Sequence, residues 1–158
     1  MSDGFASTQA TKDEGAGARF VRLFGAFGSG APDEVEALAA LYADDAVFED
    51  PWQRIVGRAA IERAFRIFLG VSKSLRIGVL RSSVVGQDVF LTWRMRLVPR
   101  VGPAIVMEGA TYARLVDGRV TLHRDYWDTV ETVGLSMPLL PRMFRALATA
   151  AMLAGAGL

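Results

Sequence analysis

The hydrophobic pattern of this sequence changes from a helical to an extended period near residue 74, and this change restricts the fold more than any other feature. Before it, three segments carry apolar residues at helical spacing. After it, Val89 to Val98 alternates strictly, and Asp117-Gly118 is a strong hairpin signal. The order predicts an α+β domain in which three N-terminal helices pack on the concave face of a curved antiparallel sheet and enclose a cone-shaped pocket.

Gly and Pro residues give the expected boundaries of the helices and strands. The first helix begins at Ala18 and fails at Gly28-Ser29-Gly30, the second opens at Pro32 and ends in the turn containing Tyr42, and the third follows Gly57-Arg58. Their apolar faces are Phe20, Leu23, Phe24 and Phe27; Val35, Leu38, Leu41 and Tyr42; and Ile61, Ala64, Phe65 and Phe68. We expect strands at 48–50, from 74, and at 89–98, 104–116 and 119–128, with a loop at 52–56.

Three parts of the chain differ in composition. Residues 1–17 are small, polar and charged, which predicts a mobile tail, and 18–134 form the α+β domain. Residues 135–158 predict an apolar C-terminal helix, too short and interrupted to span a bilayer. It packs on its own domain or on a dimer partner, or it is a lid over a hydrophobic ligand; reversible contact with a membrane surface is a weaker alternative.

Composition excludes several classes of function. The 158 residues include no Cys and one His, so a disulfide framework, a thiolate metal site and a Ser-His triad are not expected. The net charge of +1, with dispersed basic residues, argues against nucleic-acid binding. Neither a signal peptide nor a membrane span is recognisable, so we expect a cytoplasmic protein. No cofactor or metal is expected, and we expect the α+β domain to form a homodimer through the outer face of its sheet.

Two short stretches carry the candidate chemistry. In 42–51, alternation places Asp50 on the same strand face as Phe48, so a carboxylate lies beside an aromatic ring; alternatively, Asp50-Pro51 only ends the strand and opens a turn. In 117–128, alternation places His123, Asp125 and Trp127 on one face. Asp125 is either a pocket carboxylate or an ion-pair partner of Arg94, Arg96 or Arg124, and His123 either holds a proton or makes one backbone hydrogen bond.

Both stretches resemble branches of the nuclear-transport-factor-like or SnoaL-like superfamily. The helix-to-strand junction ending in Asp50-Pro51 is similar to that of the ketosteroid isomerases, and this resemblance implies that Asp50 is a general base. The run Arg124-Asp125-Tyr126-Trp127-Asp128 resembles the last strand of the limonene epoxide hydrolases, which implies a general base at Asp125. In the isomerases the aromatic residue matching Trp127 lines the pocket, so both resemblances imply the same inward face.

The resemblances imply one apolar pocket that holds both carboxylates. A carboxylate among aromatic rings loses solvation and becomes a usable proton carrier, so the expected chemistry is isomerisation, cyclisation or epoxide hydrolysis of a small hydrophobic molecule such as a steroid, terpenoid, polyketide or fatty-acid derivative. A hydrophobic-ligand carrier of the same fold is the alternative. The expected pocket residues are Phe24, Phe27, Phe48, Trp93, Met95, Thr111, Tyr112, His123 and Trp127.

The sequence departs from both branches. The isomerases stabilise their dienolate with a Tyr on the first helix and a protonated Asp on the strand before the last. The matching helix face here offers only Phe20, Leu23, Phe24 and Phe27, and the matching strand position is Thr111. The hydrolases require an Arg and an Asp two residues apart on a middle strand, where the best matches here are Arg94 and Arg96. Arg94 is thus a possible charge partner of the pocket carboxylates. If Trp93 faces inward the cavity is apolar, and if Arg94 does it holds cations; the cost of burying Arg favours Trp93. Glu108 is either a third pocket carboxylate or solvated.

Overall fold

The computed structural model describes residues 14–129, which form three helices and six strands. The helices are α1 (Ala16–Ala26), α2 (Glu34–Ala39) and α3 (Arg58–Val71), and the strands are β1 (Tyr42–Asp50), β2 (Gln53–Val56), β3 (Ser72–Val85), β4 (Asp88–Pro99), β5 (Ile105–Val116) and β6 (Arg119–Trp127). The predicted α+β architecture is confirmed. Most of the predicted tail and the C-terminal segment 135–158 lie outside the described residues.

The six strands form one open, curved sheet in the order β2-β1-β6-β5-β4-β3. All neighbours are antiparallel except β1 and β6, which run parallel, so the prediction of a wholly antiparallel sheet was wrong at this pair. Hairpins fix the direction of successive strands, but β1 and β6 are far apart in the sequence and no turn joins them. The parallel pair brings Phe48 opposite His123, which places both candidate stretches side by side.

Three predicted boundaries were also wrong. Tyr42 is the first residue of β1 rather than the last turn of a helix, because the second helix already ends at Ala39. Residues 53–56 form a strand rather than a loop, with Asp50 opposite Gln53 across a tight turn. The first helix begins at Ala16, ahead of the predicted start.

The helices pack on one face of the sheet, and aromatic side chains fill most of the space between the layers. α1 packs against β3 and β4, and α3 packs against β1 and β3. The largest side chains with essentially no exposed surface are Phe20, Leu38, Tyr42, Ile61, Leu75, His123, Val89 and Val120. Burying each large apolar side chain contributes about 1.5–3 kcal/mol. No helix within residues 14–129 is long and apolar enough to cross a membrane.

Gly109 shapes the inner face of the sheet next to Trp93. A Cβ atom at this position would overlap the Trp93 ring and approach the Tyr126 carbonyl, so any larger residue would displace the indole. Trp93 lies opposite Gly109 in the β4–β5 register and is 2% exposed. The glycine therefore fixes the position of an aromatic ring that reaches the candidate site.

Candidate active site

A cavity of about 190 Å³ lies between the helices and the inner face of the sheet. Aromatic and aliphatic side chains make most of its wall, and the polar residues that line it are Asp50, Gln53, His123 and Asp125. Of the expected pocket residues, those that line the cavity are Phe24, Phe27, Phe48, Trp93, Met95, His123 and Trp127. Both candidate carboxylates therefore reach one apolar cavity.

Asp125 is held through one of its two carboxylate oxygens. Its Oδ1 accepts a hydrogen bond from the Thr111 hydroxyl and lies 2.9 Å from His123 Nε2. The side chain is 11% exposed, and Oδ2 accepts no hydrogen bond from residues 14–129. One oxygen is thus fixed by Thr111 and His123, while the other has no hydrogen-bond partner among the described residues.

Tyr42 determines which nitrogen of His123 carries the proton. The Tyr42 hydroxyl lies 2.5 Å from His123 Nδ1, and both residues are almost fully buried. Burial, and secondarily the charge of Asp125, raises the pKa of Tyr42 well above its usual value, so the phenol stays protonated and can donate. Because a carboxylate only accepts, His123 donates from Nε2 to Asp125, and in its singly protonated form it accepts from Tyr42 at Nδ1.

A second chain of donors reaches Asp125 from β4. The Trp93 indole N–H donates to the Thr111 hydroxyl over 2.9 Å, and that hydroxyl in turn donates to Asp125. Thr111 is 2% exposed and lies behind the cavity wall. Two chains of hydrogen bonds, Tyr42–His123 and Trp93–Thr111, therefore converge on Asp125 Oδ1.

Asp50 is bonded quite differently. Its Oδ1 accepts from the backbone N–H groups of Trp52 and Gln53 over 2.7 and 3.0 Å, and its Oδ2 accepts from Gln53 Nε2 over 2.9 Å. These bonds close the turn between β1 and β2 in the manner of an Asx turn. Asp50 thus lines the cavity and also opens the turn after β1, as the alternative interpretation of Asp50-Pro51 expected. Its role as a base stays a prediction.

The three tryptophans of the chain form a row from the cavity mouth inward. Trp52, which is 61% exposed, packs edge-on against Trp127 with ring centroids 5.4 Å apart, and Trp127 lies 6.3 Å from Trp93. The Trp127 indole N–H is buried and has no acceptor among residues 14–129. Other atoms of the Trp127 side chain line the cavity, while its nitrogen is shielded.

Two of the expected site residues lie elsewhere. Tyr112 faces the opposite side of the sheet, where its hydroxyl donates to Asp88, because adjacent residues of a strand alternate and Thr111 takes the inward position. Arg94 is also on the outer face and pairs with Glu108 over 3.0 Å, with both side chains about 60% exposed or more. Trp93 and Met95 point inward, as the burial cost of Arg predicted.

The proposed ion pairs of Asp125 are also absent from the described residues. Arg94 pairs with Glu108, and Arg124 pairs with Glu49. His123 makes side-chain contacts rather than the single backbone hydrogen bond of the alternative interpretation. Glu108 belongs to the solvated outer face.

Sequence reasoning missed Tyr42 and Gln53 as members of the site. Tyr42 looked like an ordinary residue of a helical apolar face, and Gln53 looked like part of a loop. The signal that could have found Tyr42 is the presence of a buried His, which requires partners for both ring nitrogens. Within residues 14–129, no group of three or more acidic, His or Cys side chains could hold a metal ion.

Helices packed on an open, curved sheet around an apolar cavity with a buried carboxylate define a small α+β pocket protein of the nuclear-transport-factor-like class. The sequence profile of the SnoaL-like domain matches residues 19–123, and the chain therefore belongs to the SnoaL-like domain family. A search of curated proteins found no match.

Solved structures agree with this fold. A protein of ketosteroid isomerase-like fold from Catenulispora acidiphila, in complex with trimethylamine, superposes with a TM-score of 0.66 at 18% identity over 74% of this chain and 91% of the other. An epoxide hydrolase of M. tuberculosis that resembles limonene epoxide hydrolase gives 0.64 at 23% identity, over 85% and 96%. A protein from Jannaschia sp. CCS1, named as a SnoaL-like polyketide cyclase, gives 0.66 at 17%, over 83% and 97%. At these identities the likeness shows the fold alone.

Proposed function

We propose that this protein is a cofactor-independent enzyme that moves a proton on a small, largely apolar substrate, with Asp125 as the proton carrier. The observation that carries the proposal is the bonding of Asp125: Oδ1 is fixed by Thr111 and His123, Oδ2 accepts no hydrogen bond from residues 14–129, and the residue lines the apolar cavity. A base must present a free lone pair to its substrate while the rest of the group is held in position.

The proposed step is proton abstraction from a carbon next to a carbonyl group. Asp125 Oδ2 takes the proton, the C–H electron pair forms a carbon–carbon double bond, and the carbonyl oxygen gains the negative charge. The protonated Asp125 then returns the proton to another carbon, which isomerises the substrate. Alternatively, the enolate carbon attacks a second carbonyl of the substrate and closes a ring, and the alkoxide that this forms takes the proton from Asp125. The apolar wall keeps water away from the enolate.

Two observations favour this chemistry over epoxide opening. No Arg or Lys lines the cavity in the part of the chain that the structure describes, and the candidate cation Arg94 is paired on the outer face.

The family and the solved relatives support a small-molecule pocket: one is named as a polyketide cyclase, one is an epoxide hydrolase, and one holds trimethylamine.

A second candidate is a carrier for hydrophobic molecules that does no chemistry. The apolar lining of the cavity supports it, as does Asp50, whose two oxygens are both occupied by the β1–β2 turn. A carrier requires the cavity but not a free oxygen on Asp125. Activity of the Asp125 variants therefore separates the two candidates.

The test is exchange of carbon-bound protons in deuterium oxide. Wild-type protein is incubated with ketones of increasing size, such as 2-decalone and a steroid ketone, and deuterium incorporation is followed by mass spectrometry; epoxides of similar size are assayed for diol formation. We expect exchange with at least one ketone and a loss of about 10²- to 10⁴-fold in Asp125→Asn. Binding without exchange would support the carrier, and diol formation alone would support the hydrolase.

The predicted homodimer remains a proposal. The outer face of the sheet carries Phe90, Val106 and Tyr126, each about half exposed, and these residues suit a contact between two copies. Light scattering coupled to size-exclusion chromatography measures the mass directly. A dimer that Phe90→Asp converts to a monomer is the expected result, and a wild-type monomer would contradict it.

A further inference from the structure

The side-chain amide of Gln53 lies at the cavity, and the protein uses it only in part. Its Nε2 donates one hydrogen to Asp50 Oδ2 over 2.9 Å. An amide nitrogen carries two hydrogens, and the amide oxygen accepts. The second N–H and Oε1 make no hydrogen bond within residues 14–129. Gln53 lines the cavity and is exposed, so a ligand can replace water at this amide.

The turn between β1 and β2 does not depend on this amide alone. Asp50 Oδ1 accepts from the backbone N–H groups of Trp52 and Gln53, and these bonds are open to any non-proline residue at position 53. The additional side-chain bond holds the Gln53 amide beside Asp50. A polar group that is already held in place loses less conformational entropy when a ligand binds to it.

Polar residues line only one end of the cavity. They come from the three adjacent strands β2, β1 and β6, whereas the lining residues of α3, β3, β4 and β5 are apolar or aromatic. Gln53 on β2 and Asp125 on β6 are separated by β1, so their strands are about 10 Å apart. A ligand that bonds to both residues therefore carries two polar groups on different carbons, next to an apolar body.

The charges at this end favour an uncharged ligand group. Asp50, Gln53 and Asp125 also line a surface groove beside the cavity. This groove has three carboxylates and two guanidinium groups, and both guanidinium groups pair with Glu49. The excess of negative charge disfavours a carboxylate or a phosphate on the ligand.

We infer that Gln53 is a specificity-determining residue that binds a hydroxyl group of the ligand. A hydroxyl group can accept from the free N–H of the amide or donate to Oε1. This inference rests on the proposed function and names its substrate class, an uncharged hydroxy ketone. The ketone lies next to Asp125, the hydroxyl group lies at Gln53, and the hydrocarbon body packs against the apolar end of the cavity.

Matched ligands measure this hydrogen bond. The affinities of 2-decalone and of hydroxy-2-decalones that differ in the ring position of one hydroxyl group are measured for the wild type and for Gln53→Met, which removes the amide and keeps a long side chain. We expect at least one isomer to bind the wild type roughly three- to tenfold more tightly than 2-decalone, and Gln53→Met to lose this preference. Gln87→Met makes the same change in the exposed turn between β3 and β4 and should retain it.

The side-chain amide signals test the contact directly in the wild type. The sequence has no Asn and three Gln, at positions 9, 53 and 87, so a proton–nitrogen correlation spectrum contains three side-chain amide pairs. Gln53→Met assigns the pair of Gln53. We expect one Gln53 amide proton to move when the preferred hydroxy-2-decalone binds and to move less with 2-decalone, while the Gln87 pair stays in place.

The outcomes separate this inference from the proposed function. If no isomer is preferred over 2-decalone, if Gln53→Met retains the preference, or if the Gln53 amide signals respond equally to both ligands, the hydroxyl subsite is not at Gln53, whatever Asp125→Asn does to exchange. If the preference depends on Gln53 but no ketone exchanges its protons, the subsite stands and the proposed catalysis fails.

Discussion

The two faces of the sheet satisfy their polar groups by opposite means. On the inner face, Tyr42, His123, Asp125, Thr111 and Trp93 form directed hydrogen bonds in a nearly dry environment. On the outer face, Arg94–Glu108, Arg114–Asp88 and Arg124–Glu49 form ion pairs that water reaches. Substituting an exposed ion pair should change the unfolding free energy little, because water can replace the lost partner. Each inner polar group needs its neighbour as its hydrogen-bond partner. The inner face is therefore the part of the sheet where the identity of each polar side chain matters most.

The largest expected effect on stability is the loss of the inner acceptor. Asp125→Ala leaves the Thr111 hydroxyl and His123 Nε2–H without an acceptor, which should cost about 2 kcal/mol or more of unfolding free energy. Asp125→Asn keeps one oxygen and should cost about 1 kcal/mol or less. Urea denaturation of both variants measures the difference. Equal destabilisation by the two substitutions would show that charge, and not the acceptor, matters.

Two tyrosines provide a matched pair across the sheet. Tyr42→Phe leaves His123 Nδ1 buried without a donor and should cost about 1–3 kcal/mol. Tyr112→Phe removes a hydroxyl that donates to Asp88 on the outer face over 2.8 Å, and should cost about 1 kcal/mol or less, because Asp88 also has Arg114 and water. Thermal and denaturant melts compare them. A larger loss for Tyr112→Phe would reverse the contrast between the faces.

The outer ion pairs should contribute little. Arg94 and Glu108 are both more than half exposed, so Arg94→Ala and Glu108→Ala should each change the unfolding free energy by about 0.5 kcal/mol. A double-mutant cycle gives the coupling between them, with an expected value below about 1 kcal/mol. A coupling of several kcal/mol would mean that a partner or a second copy buries this pair.

The smallest effect is the response of the outer face to acid. Hydrogen bonds from Arg114 and Tyr112 lower the pKa of Asp88, so its contribution to stability is fully present above the unfolded-state value of about 4 and is lost as pH falls through the lower folded-state value. Asp88→Asn should flatten the stability profile below about pH 4, and salt should weaken the wild-type effect. An unchanged acid limb in Asp88→Asn would contradict this assignment.

Alternation was sufficient to predict one side of the site. It placed His123, Asp125 and Trp127 on one face of the last strand, and the cost of burying Arg placed Trp93 inward. The same rule should have excluded Tyr112, since Thr111 beside it takes the inward position. Fold class followed from the change of hydrophobic period, because both periods depend only on local sequence.

The remaining features depend on contacts between distant parts of the chain. Tyr42 meets His123 only because β1 pairs in parallel with β6, and no local pattern encodes that pairing. Whether Asp50 serves as a base or closes a turn depends on the position of Gln53, which periodicity predicted to be in a loop. The partners of buried polar groups and the distances to them are set by tertiary packing. A single sequence therefore identifies candidate residues but not which of them meet.

The crystal structure of the protein with 2-decalone would test the central claim most directly. We expect ligand density in the cavity, with the carbon next to the carbonyl group nearest Asp125 Oδ2. Density in the cavity with Asp125 Oδ2 bonded to the protein instead, or density only outside the cavity, would contradict the account.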